Sequence, residues 1–396
     1  MRFALFYLAI TLWVLWRFLK PMHVAKRYKW IGLAVILVIA SFSFVSAAFF
    51  GGLISPELPA WVLMVGHGAE FALLFLAALT LVREVVIFLC VLGGKSARPA
   101  KRVVQRDRRV ALGMMAASAG LAVAGVHEGV KVPDVLSYDV PIEDLPKGLE
   151  GMSVVQLSDL HASALLTEPH MEALVERVNE LKPDLILITG DLQDGTVENR
   201  RKDIAPLAKL RARHGVLACE GNHEHYIDYD GWCRRIPELG IDLLKNECRE
   251  IVHNGAVLTV GAVTDPWAKR FNRELPDAVK AFHKAPEKGP RILMAHQPKP
   301  ARTYDEAVRV DLILSGHTHG GQLYGMDYAV AVMNATFVRG WYRLRHAKLY
   351  VHSGSGLWNG FPVRLGVPSE IALFTLRKKT ADNDKSLPKA ENRQKA

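Results

Sequence analysis

Five short apolar runs in the second half of this 396-residue sequence are each followed directly by polar side chains. The segments are Ser158-Asp159-Leu160-His161, Gly190-Asp191, Gly221-Asn222-His223-Glu224, His296-Gln297-Pro298 and Gly316-His317-Thr318-His319-Gly320-Gly321-Gln322. Open α/β sheets place their ligands at the carboxyl ends of the strands. We therefore expect two aspartates, one asparagine and five histidines to meet at one edge of a sheet.

This set of side chains is typical of a transition-metal site. Imidazoles combined with carboxylates suit Zn, Fe, Mn or Co, whereas an all-oxygen Mg or Ca site would not use so many histidines. Eight groups are too many for one ion, but they suit two ions that share a bridging carboxylate. Two ions about 3.5–4 Å apart bind the attacking and leaving oxygens of a phosphoryl displacement and lower the pKa of bound water. The residues thus indicate hydrolysis of a phosphate ester.

The elements that must carry these residues alternate along the chain. Mainly apolar runs predict strands at 154–157, 185–189, 216–219, 257–260, 292–295 and 312–314. Met171, Leu174 and Val178 recur at helical spacing after the first strand, and helices are also expected at 204–210 and 278–282. This alternation predicts an α/β domain at 151–376. A proline-containing linker is expected at 128–150, and a polar, disordered tail at 377–396.

A different pattern occupies residues 1–127. Apolar runs lie at 3–19, 30–50, 58–82 and 110–126. A membrane-spanning helix needs about 20 apolar residues, and the shortest have about 17. The second and third runs are long enough, whereas the first and fourth are short enough to lie in the membrane interface instead. We therefore expect an all-α membrane region with three or four transmembrane helices at 1–127.

The excess charge of the chain is concentrated in this membrane region. The formal net charge of the chain is +10. Residues 1–127 account for all of it, because they contain 14 Lys and Arg against 4 Asp and Glu. Residues 128–396 contain 36 of each, which disfavours nucleic acid as a partner because phosphate-backbone binding depends on Lys and Arg. The basic residues cluster after the first and third apolar runs, so the positive-inside rule places both clusters in the cytoplasm. With four crossings, the α/β domain is expected to be extracytoplasmic.

Three further features have more than one interpretation. His67 and Glu70 share a face of the third apolar run, and we expect a packing hydrogen bond to a neighbouring helix rather than a functional site. His225 is expected to be exposed. A disulfide between Cys233 and Cys248 is left open, since an extracytoplasmic domain would permit it.

The five segments, taken in order, resemble the motifs of the calcineurin-like metallophosphoesterase family. These motifs are Asp-x-His, Gly-Asp, Gly-Asn-His-Glu, a single His and Gly-His-Thr-His. The resemblance covers residues 152–376. The extended Gly-His-Thr-His-Gly-Gly-Gln resembles the family's membrane-associated bacterial phosphodiesterase branch, as do Leu349-Tyr350-Val351, Gly354, Gly356, Arg364, Pro368 and Glu370-Ile371. It implies a four-layer α/β sandwich, preceded in this chain by the all-α transmembrane region.

The resemblance also implies a role for each site residue. The metal ligands would be Asp159, His161 and His319 for the first ion, Asn222, His296 and His317 for the second, and Asp191 as the bridge between them. His223 would contact the phosphoryl group or protonate the leaving oxygen. The cofactors would be two divalent ions per site, from among Mn, Fe and Zn, and the nucleophile would be metal-bound hydroxide.

The sequence therefore predicts a membrane-anchored, metal-dependent phosphoesterase that hydrolyses a phosphodiester or phosphoanhydride bond. Its phosphorylated substrate would be lipid-linked or derived from the cell envelope, because tethering helps most when the substrate is also at the membrane. We expect an integral protein of the bacterial inner membrane with an extracytoplasmic catalytic domain. The alternative is a membrane sensor or transporter whose soluble domain binds metal without turnover, which the additional His223 disfavours.

Overall fold

The computed structural model describes residues 2–52, 55–93, 108–358 and 360–380. They fall into two compact units. The first contains Met1–Glu128 and Gly360–Val363, and the second contains Gly129–Asn359 and Arg364–Ala396.

Apolar helices make up the first unit. They are α1 (Arg2–Val14, continued by a π-helix at Leu15–Leu19), α2 (Lys26–Phe49), α3 (Ala60–Leu92) and α4 (Arg108–Val130). Within the described ranges, three helices are long and apolar enough to cross a membrane, namely Lys26–Phe49, Ala60–Leu92 and Arg109–Val130. Such helices suit lipid because each backbone polar group is bonded within its own helix. The fourth apolar run is therefore long enough to span, whereas the first forms a shorter apolar helix at Tyr7–Leu19.

His67 and Glu70 lie buried inside this unit. The Glu70 carboxylate accepts hydrogen bonds from the backbone N–H (2.9 Å) and the hydroxyl (2.6 Å) of Ser43 on α2. His67 Nδ1 lies 3.0 Å from the same carboxylate. The predicted packing hydrogen bond to a neighbouring helix is thus confirmed, because the contact joins α3 to α2.

Two mixed six-stranded sheets form the centre of the second unit. The first has the order β1-β12-β2-β3-β4-β5 and the second β10-β11-β9-β8-β7-β6. The strands are β1 (Asp134–Ile142), β2 (Ser153–Leu157), β3 (Leu185–Thr189), β4 (Val216–Cys219), β5 (Ile241–Leu244), β6 (Glu247–His253), β7 (Ala256–Ala262), β8 (Arg291–Met294), β9 (Leu312–Ser315), β10 (Gly340–Arg343), β11 (Lys348–Val351) and β12 (Glu370–Lys378). Each of the six strands predicted from the sequence overlaps one of these.

Short helices connect the strands. They are α5 (Glu168–Glu180), α6 (Val197–Ile204), α7 (Asn222–Tyr226), α8 (Tyr229–Glu238), α9 (Ala278–Ala281), α10 (Ala301–Ala307) and α11 (Asp327–Met333). Further 3₁₀ turns lie at Lys147–Leu149, Ala205–Lys209, Pro266–Phe271 and His319–Gly321. Strand β3 (Leu-Ile-Leu-Ile-Thr) is buried at every position, as expected for a strand covered on both faces. Both sheets contribute to one apolar core, which confirms the predicted α/β fold class.

The prediction of a linker at 128–150 is wrong for most of these residues. Helix α4 continues to Val130, and Asp134–Ile142 is a nine-residue strand that pairs in parallel with β12. Polar residues and Pro141 obscured this strand in the sequence, yet an edge strand tolerates proline because one side of it makes no ladder bonds. The disordered tail expected from residue 377 is wrong for its first residues, because β12 extends to Lys378, and residues 381–396 lie outside the described residues.

The edge strands β1 and β10 face each other across the core. The ring centroid of Tyr138 on β1 lies 5.7 Å from that of Trp341 on β10, and Trp341 is buried. All four cysteines of the chain are free, so the Cys233–Cys248 disulfide is not formed.

Candidate metal centre

The predicted donors converge at one edge of the sheets. They are Asp159 and His161 after β2, Asp191 after β3, Asn222 and His223 after β4, His296 after β8, and His317 and His319 after β9. All eight side chains are buried or half-buried. Every residue proposed from the motifs is therefore brought to the same place, but the strands that carry them belong to two sheets and not to the single sheet expected, with β2, β3 and β4 in the first and β8 and β9 in the second.

Several of these residues have backbone conformations that L-amino acids rarely adopt. The φ angle is 53° at Asp159, 44° at His161, 53° at Asp191, 70° at His317 and 48° at His319. A left-handed conformation costs a non-glycine residue about 1–2 kcal/mol, and such residues concentrate at functional sites. The turn after β9 also requires glycine at position 316, because a Cβ there would overlap the side chains of Ser158 and Asp159.

Asp159, His161 and His319 form the first donor cluster. One ligand atom from each residue lies within 4.8 Å of the others. His319 Nε2 is 3.1 Å from His161 Nε2 and 3.4 Å from Asp159 Oδ1. Burial and the neighbouring His161 lower the pKa of His319 well below its usual value. His319 is thus neutral, the form in which imidazole binds metal ions.

Asp191, His296 and His317 form the second donor cluster, again with ligand atoms within 4.8 Å of one another. His296 Nε2 lies 3.2 Å from Asp191 Oδ2 and 3.1 Å from Asn222 Oδ1. His296 Nδ1 lies 2.7 Å from the carbonyl oxygen of Thr189, which can only accept, so Nδ1 carries the proton. Burial lowers the pKa of His317 to about 3. His317 is therefore neutral as well.

Asp191 lies between the two clusters. Its Oδ2 atom is 3.2 Å from His296 Nε2 and 3.8 Å from His161 Nε2, and its Oδ1 accepts the backbone N–H of His223 (2.8 Å). Burial alone would raise the pKa of Asp191, but the imidazoles of His296 and His223 outweigh it and hold the pKa well below its usual value. An ionised carboxylate in this position suits a bridging ligand.

Asp194 is a buried carboxylate that the motif pattern did not single out. Its Oδ1 atom lies 3.1 Å from His161 Nδ1 and 2.5 Å from His223 Nδ1. Burial would raise the pKa of Asp194, but the two imidazoles lower it to about 2. Burial would lower the pKa of His223, but Asp191 and Asp194 raise it to about 9. The ionised Asp194 accepts both Nδ1–H groups, which leaves both Nε2 atoms directed toward Asp191.

Glu224 holds the turns after β3 and β4 together. Its carboxylate accepts backbone N–H groups from Asp191 (3.1 Å), Leu192 (2.7 Å) and Gly221 (2.6 Å). The turn that carries Asp191 is thereby fixed against the turn that carries Asn222. Glu224 thus positions site residues without supplying a donor atom to either cluster.

Aromatic side chains line one side of His223. Its ring centroid lies 4.8 Å from that of Tyr226, which lies 5.2 Å from that of Trp267. The Asn222 amide donates to the Tyr226 hydroxyl (3.0 Å), which leaves Asn222 Oδ1 directed at His296. Tyr226 therefore orients the asparagine donor as well as packing beside His223.

The expectation that His225 is exposed is wrong, because only 2% of the residue is accessible. Its Nε2 atom lies 3.0 Å from Glu220 Oε1, and its Nδ1 lies 3.1 Å from Arg273 Nη1. The ring also stacks on Tyr229, with 4.8 Å between centroids. The partner at position 273 is distant in sequence, which is why local pattern did not reveal the burial.

Arg364 is fully buried beside the first cluster. It donates to the carbonyl oxygens of Ser353 (2.8 Å), Gly356 (2.8 Å) and His319 (3.3 Å). These bonds join the loop after β11 to the turn that carries His319. Arg364 thus helps to fix the position of a predicted ligand.

The donor set fits divalent metal ions. Histidine nitrogens with carboxylate oxygens suit Mn, Fe or Zn. Neutral His317 and His319 and ionised Asp191 have the protonation states that metal binding requires. The bond from His161 to Asp194 is the carboxylate contact that commonly orients a metal-binding imidazole.

Comparison with known proteins agrees with the fold class. The family model of calcineurin-like phosphoesterases matches residues 152–321. An uncharacterized metallophosphoesterase of Helicobacter pylori is 36% identical over 266 residues, covering 67% of this chain and 70% of that protein. A transmembrane protein with metallophosphoesterase domain from Bos taurus is 32% identical over 352 residues, covering 80% of this chain and 79% of that protein.

A second vertebrate relative has the same description. A transmembrane protein with metallophosphoesterase domain from Danio rerio is 34% identical over 268 residues, covering 66% of this chain and 61% of that protein. These names agree with the three apolar helices, and the protein is a membrane protein with clusters of His and Asp that fit metal ions. The chain belongs to the calcineurin-like metallophosphoesterase family.

Proposed function

We propose that this protein is a membrane-anchored two-metal phosphoesterase that hydrolyses a phosphodiester or phosphoanhydride bond. The observation that carries the proposal is the position of the Asp191 carboxylate. It lies 3.2 Å from His296 of the second cluster, 3.8 Å from His161 of the first, and 3.9 Å from His223, which belongs to neither. A bridging ligand and a separate proton donor would both be placed in this way.

The two clusters divide the ligands between the ions. In this proposal one ion is held by Asp159, His161 and His319, the other by Asn222, His296 and His317, and Asp191 is shared. When bound, the ions would supply positive charge beside the phosphoryl group and activate water for attack. Each cluster combines at least one carboxylate with two imidazoles, which supports two comparable sites rather than one.

His223 is the residue that we assign to the leaving group. Its Nδ1–H donates to Asp194, so the ring is fixed with Nε2 facing the space beside Asp191. A proton held on Nε2 would pass to the leaving oxygen as the P–O bond breaks. Asp194 contributes by fixing the ring orientation, and it does the same for His161 of the first cluster.

The membrane anchor supports a substrate that is itself at the membrane. Tethering an enzyme beside its substrate raises the effective concentration without any new contact. A lipid-linked or envelope-derived phosphate ester would benefit most. Nucleic acid remains disfavoured, since the charges of residues 128–396 balance.

We further propose that the catalytic unit is extracytoplasmic in a bacterial inner membrane. Basic residues lie at the start of α2 and between α3 and α4, and the positive-inside rule assigns both clusters to the cytoplasm. Helix α4 then ends outside, whether or not α1 crosses, because α1 precedes the first cluster. A C-terminal alkaline phosphatase fusion should be active in cells, and a fluorescent C-terminal green fluorescent protein fusion would contradict the assignment.

Hydrolysis by purified protein tests the proposed activity. With Mn²⁺, the full-length protein should hydrolyse bis(p-nitrophenyl) phosphate, and Asp191→Asn and His319→Ala should abolish the reaction. His346→Ala, a change of an exposed histidine distant from the donors in sequence, is the control and should retain activity. Tight Mn²⁺ binding without hydrolysis of diester or anhydride substrates would favour the sensor or transporter and refute the proposal.

A further inference from the structure

Residues 324–333 expose a concentration of apolar side chains. The accessible fractions are 58% for Tyr324, 39% for Met326, 58% for Tyr328, 87% for Val332 and 61% for Met333. Helix α11, which forms most of this segment, buries none of its residues. Elsewhere in the described part of the second unit, five large apolar residues are exposed, and no ten-residue stretch contains more than three of them; they are Leu136, Val252, Phe271, Leu275 and Val279. Scattered apolar side chains are ordinary, but a cluster marks an interaction surface.

The segment begins beside the metal centre. Tyr324 is five residues beyond His319. Gly321 packs against the backbone of Asp327, the first residue of α11, and a Cβ at position 321 would lie 2.9 Å from it. Helix α11 thus starts against the turn that carries His319, so whatever covers the segment is adjacent to the donor clusters.

Strand register places the start of the catalytic unit at the same edge. Asp134 at the start of β1 pairs with Glu370 of β12, and β12 runs antiparallel to β2 with Ala372 opposite Gln156. The start of β1 therefore lies at the carboxyl end of β2, where the first cluster begins. Only residues 131–133 separate β1 from the apolar helix α4, a span of about 10 Å when fully extended. The membrane helix is attached at the metal-centre edge.

Arginines flank the apolar segment on both sides. Arg339 donates to the carbonyl oxygen of Gly320, before the segment (3.3 Å). Arg302, an exposed residue, donates to the carbonyl oxygen of Ala335, after it (3.1 Å). The segment itself contains a single carboxylate, Asp327. Apolar side chains between cationic ones suit the surface of a bilayer that contains anionic lipid.

We propose that residues 324–333 dock on the surface of the lipid bilayer that anchors the protein, with Arg302 and Arg339 at the level of the headgroups. Tyrosine is well suited to the membrane–water interface, and the valine and methionine side chains leave water for the acyl boundary. Because only three residues join the apolar helix α4 to the start of β1, a bilayer that holds α4 is always available to this edge of the sheet. A protein partner or a second copy of the chain would have to be recruited from solution or from elsewhere in the membrane. Docking would bring membrane phosphate esters to the donor clusters, a consequence that rests on the proposed function.

Photocrosslinking of the full-length protein in nanodiscs tests the docking surface. Val332→p-benzoylphenylalanine reports what touches α11. Val252→p-benzoylphenylalanine is the matched control, because Val252 is also an exposed valine (61%) but lies on β6 at the opposite edge of its sheet from β10. With radiolabelled phosphatidylglycerol and phosphatidylcholine, we expect lipid labelling at position 332 to exceed that at position 252 about tenfold.

Each outcome decides the proposal. Equal lipid labelling at the two positions, or a crosslinked dimer or foreign protein in place of lipid at position 332, would overturn it. Tyr328→p-benzoylphenylalanine lies on the same helical face and should repeat the result if the first variant folds poorly. The readout needs no turnover, so lipid labelling by a protein that fails to hydrolyse phosphate esters would refute the proposed function and leave the docking surface intact.

Discussion

The two compact units each contain a histidine beside a buried carboxylate, and the histidine is buried in the first unit and half-buried in the second. In the first unit, His67 Nδ1 lies 3.0 Å from Glu70, and the carboxylate also accepts two hydrogen bonds from Ser43. In the second unit, His223 Nδ1 lies 2.5 Å from Asp194, which also accepts from His161. Both places have a contact between an imidazole Nδ1 and a carboxylate, with glutamate in the first unit and aspartate in the second.

What differs is the surroundings of each pair. The ring of His67 packs edge-on against Phe42, with 5.1 Å between centroids, so the pair joins two apolar helices. His223 Nε2 instead faces Asp191, and Asp194 orients a predicted metal ligand with the same oxygen atom. A histidine–carboxylate pair is therefore a packing contact in one unit and part of a candidate reaction centre in the other, and the neighbouring donors make the difference.

The largest effect should follow Asp194→Asn, because this change disturbs both His161 and His223. We expect kcat for bis(p-nitrophenyl) phosphate to fall about 10²–10⁴-fold and Mn²⁺ affinity to fall about 10–100-fold. Steady-state kinetics and calorimetric Mn²⁺ titration measure the two effects. The matched control is Glu70→Gln in the other pair, which should change neither value. Equal losses of kcat and of Mn²⁺ affinity in the two variants would contradict the distinction between the two pairs.

His223→Gln should have a narrower effect. The proton donor is lost while His161 keeps its bond to Asp194, so Mn²⁺ affinity should stay at the wild-type value. We expect kcat to fall about 10²–10⁴-fold for diesters with poor leaving groups and less for p-nitrophenolate, which leaves without protonation. Rates for diesters with leaving groups of increasing pKa measure this. An equal loss for all leaving groups would argue against proton donation by His223.

Glu70→Ala should alter stability and leave catalysis unchanged. The substitution removes the carboxylate that the half-buried hydroxyl of Ser43 and the buried His67 Nδ1 both contact, at a cost of about 1–3 kcal/mol in the free energy of unfolding. Thermal unfolding in detergent should show a lower Tm, while kcat/KM of the folded protein stays within about twofold of wild type. A large loss of kcat/KM in folded protein would show that the first pair does more than join helices.

The smallest effect should follow Ser43→Ala, which removes the hydroxyl's bond to Glu70 and its longer contact with His67 (3.4 Å) but leaves Glu70 its contact with His67. The expected loss is about 1 kcal/mol in the free energy of unfolding. Comparison of Tm for Ser43→Ala and Glu70→Ala measures it. A larger loss for the serine variant than for the glutamate variant would contradict the central place of Glu70 in this contact.

The donor residues could be predicted from the sequence because each directly follows a buried strand. Parallel strands place their carboxyl ends at one edge, so a local pattern was enough to bring Asp159 and Asp191 together on the first sheet and His296 and His317 together on the second. The packing of the two sheets, which joins these edges, is a non-local property that the pattern did not give. The same reasoning assigned the membrane helices, since length and hydropathy are local properties as well. Seven predicted ligands and His223 accordingly meet in the structure.

The positioning residues could not be predicted in this way, because long-range pairing creates their contacts. Asp194 lies beside His161 because an isolated β-bridge pairs the neighbouring residues Ala162 and Gln193. These residues are on loops, and no strand pattern in the sequence links the two loops. Strand β1 forms only because β12, more than 220 residues later, supplies its ladder. Both contacts join segments that are distant in the chain. The sequence of each segment on its own is typical of a loop or a linker.

One titration tests the central claim most directly. Hydrolysis of bis(p-nitrophenyl) phosphate is measured while Mn²⁺ is added to metal-free, full-length protein at a concentration far above the Kd. If two ions share Asp191, the rate should reach its plateau at two equivalents of Mn²⁺ per chain. A plateau at one equivalent, or metal uptake without any hydrolysis, would contradict the two-metal phosphoesterase.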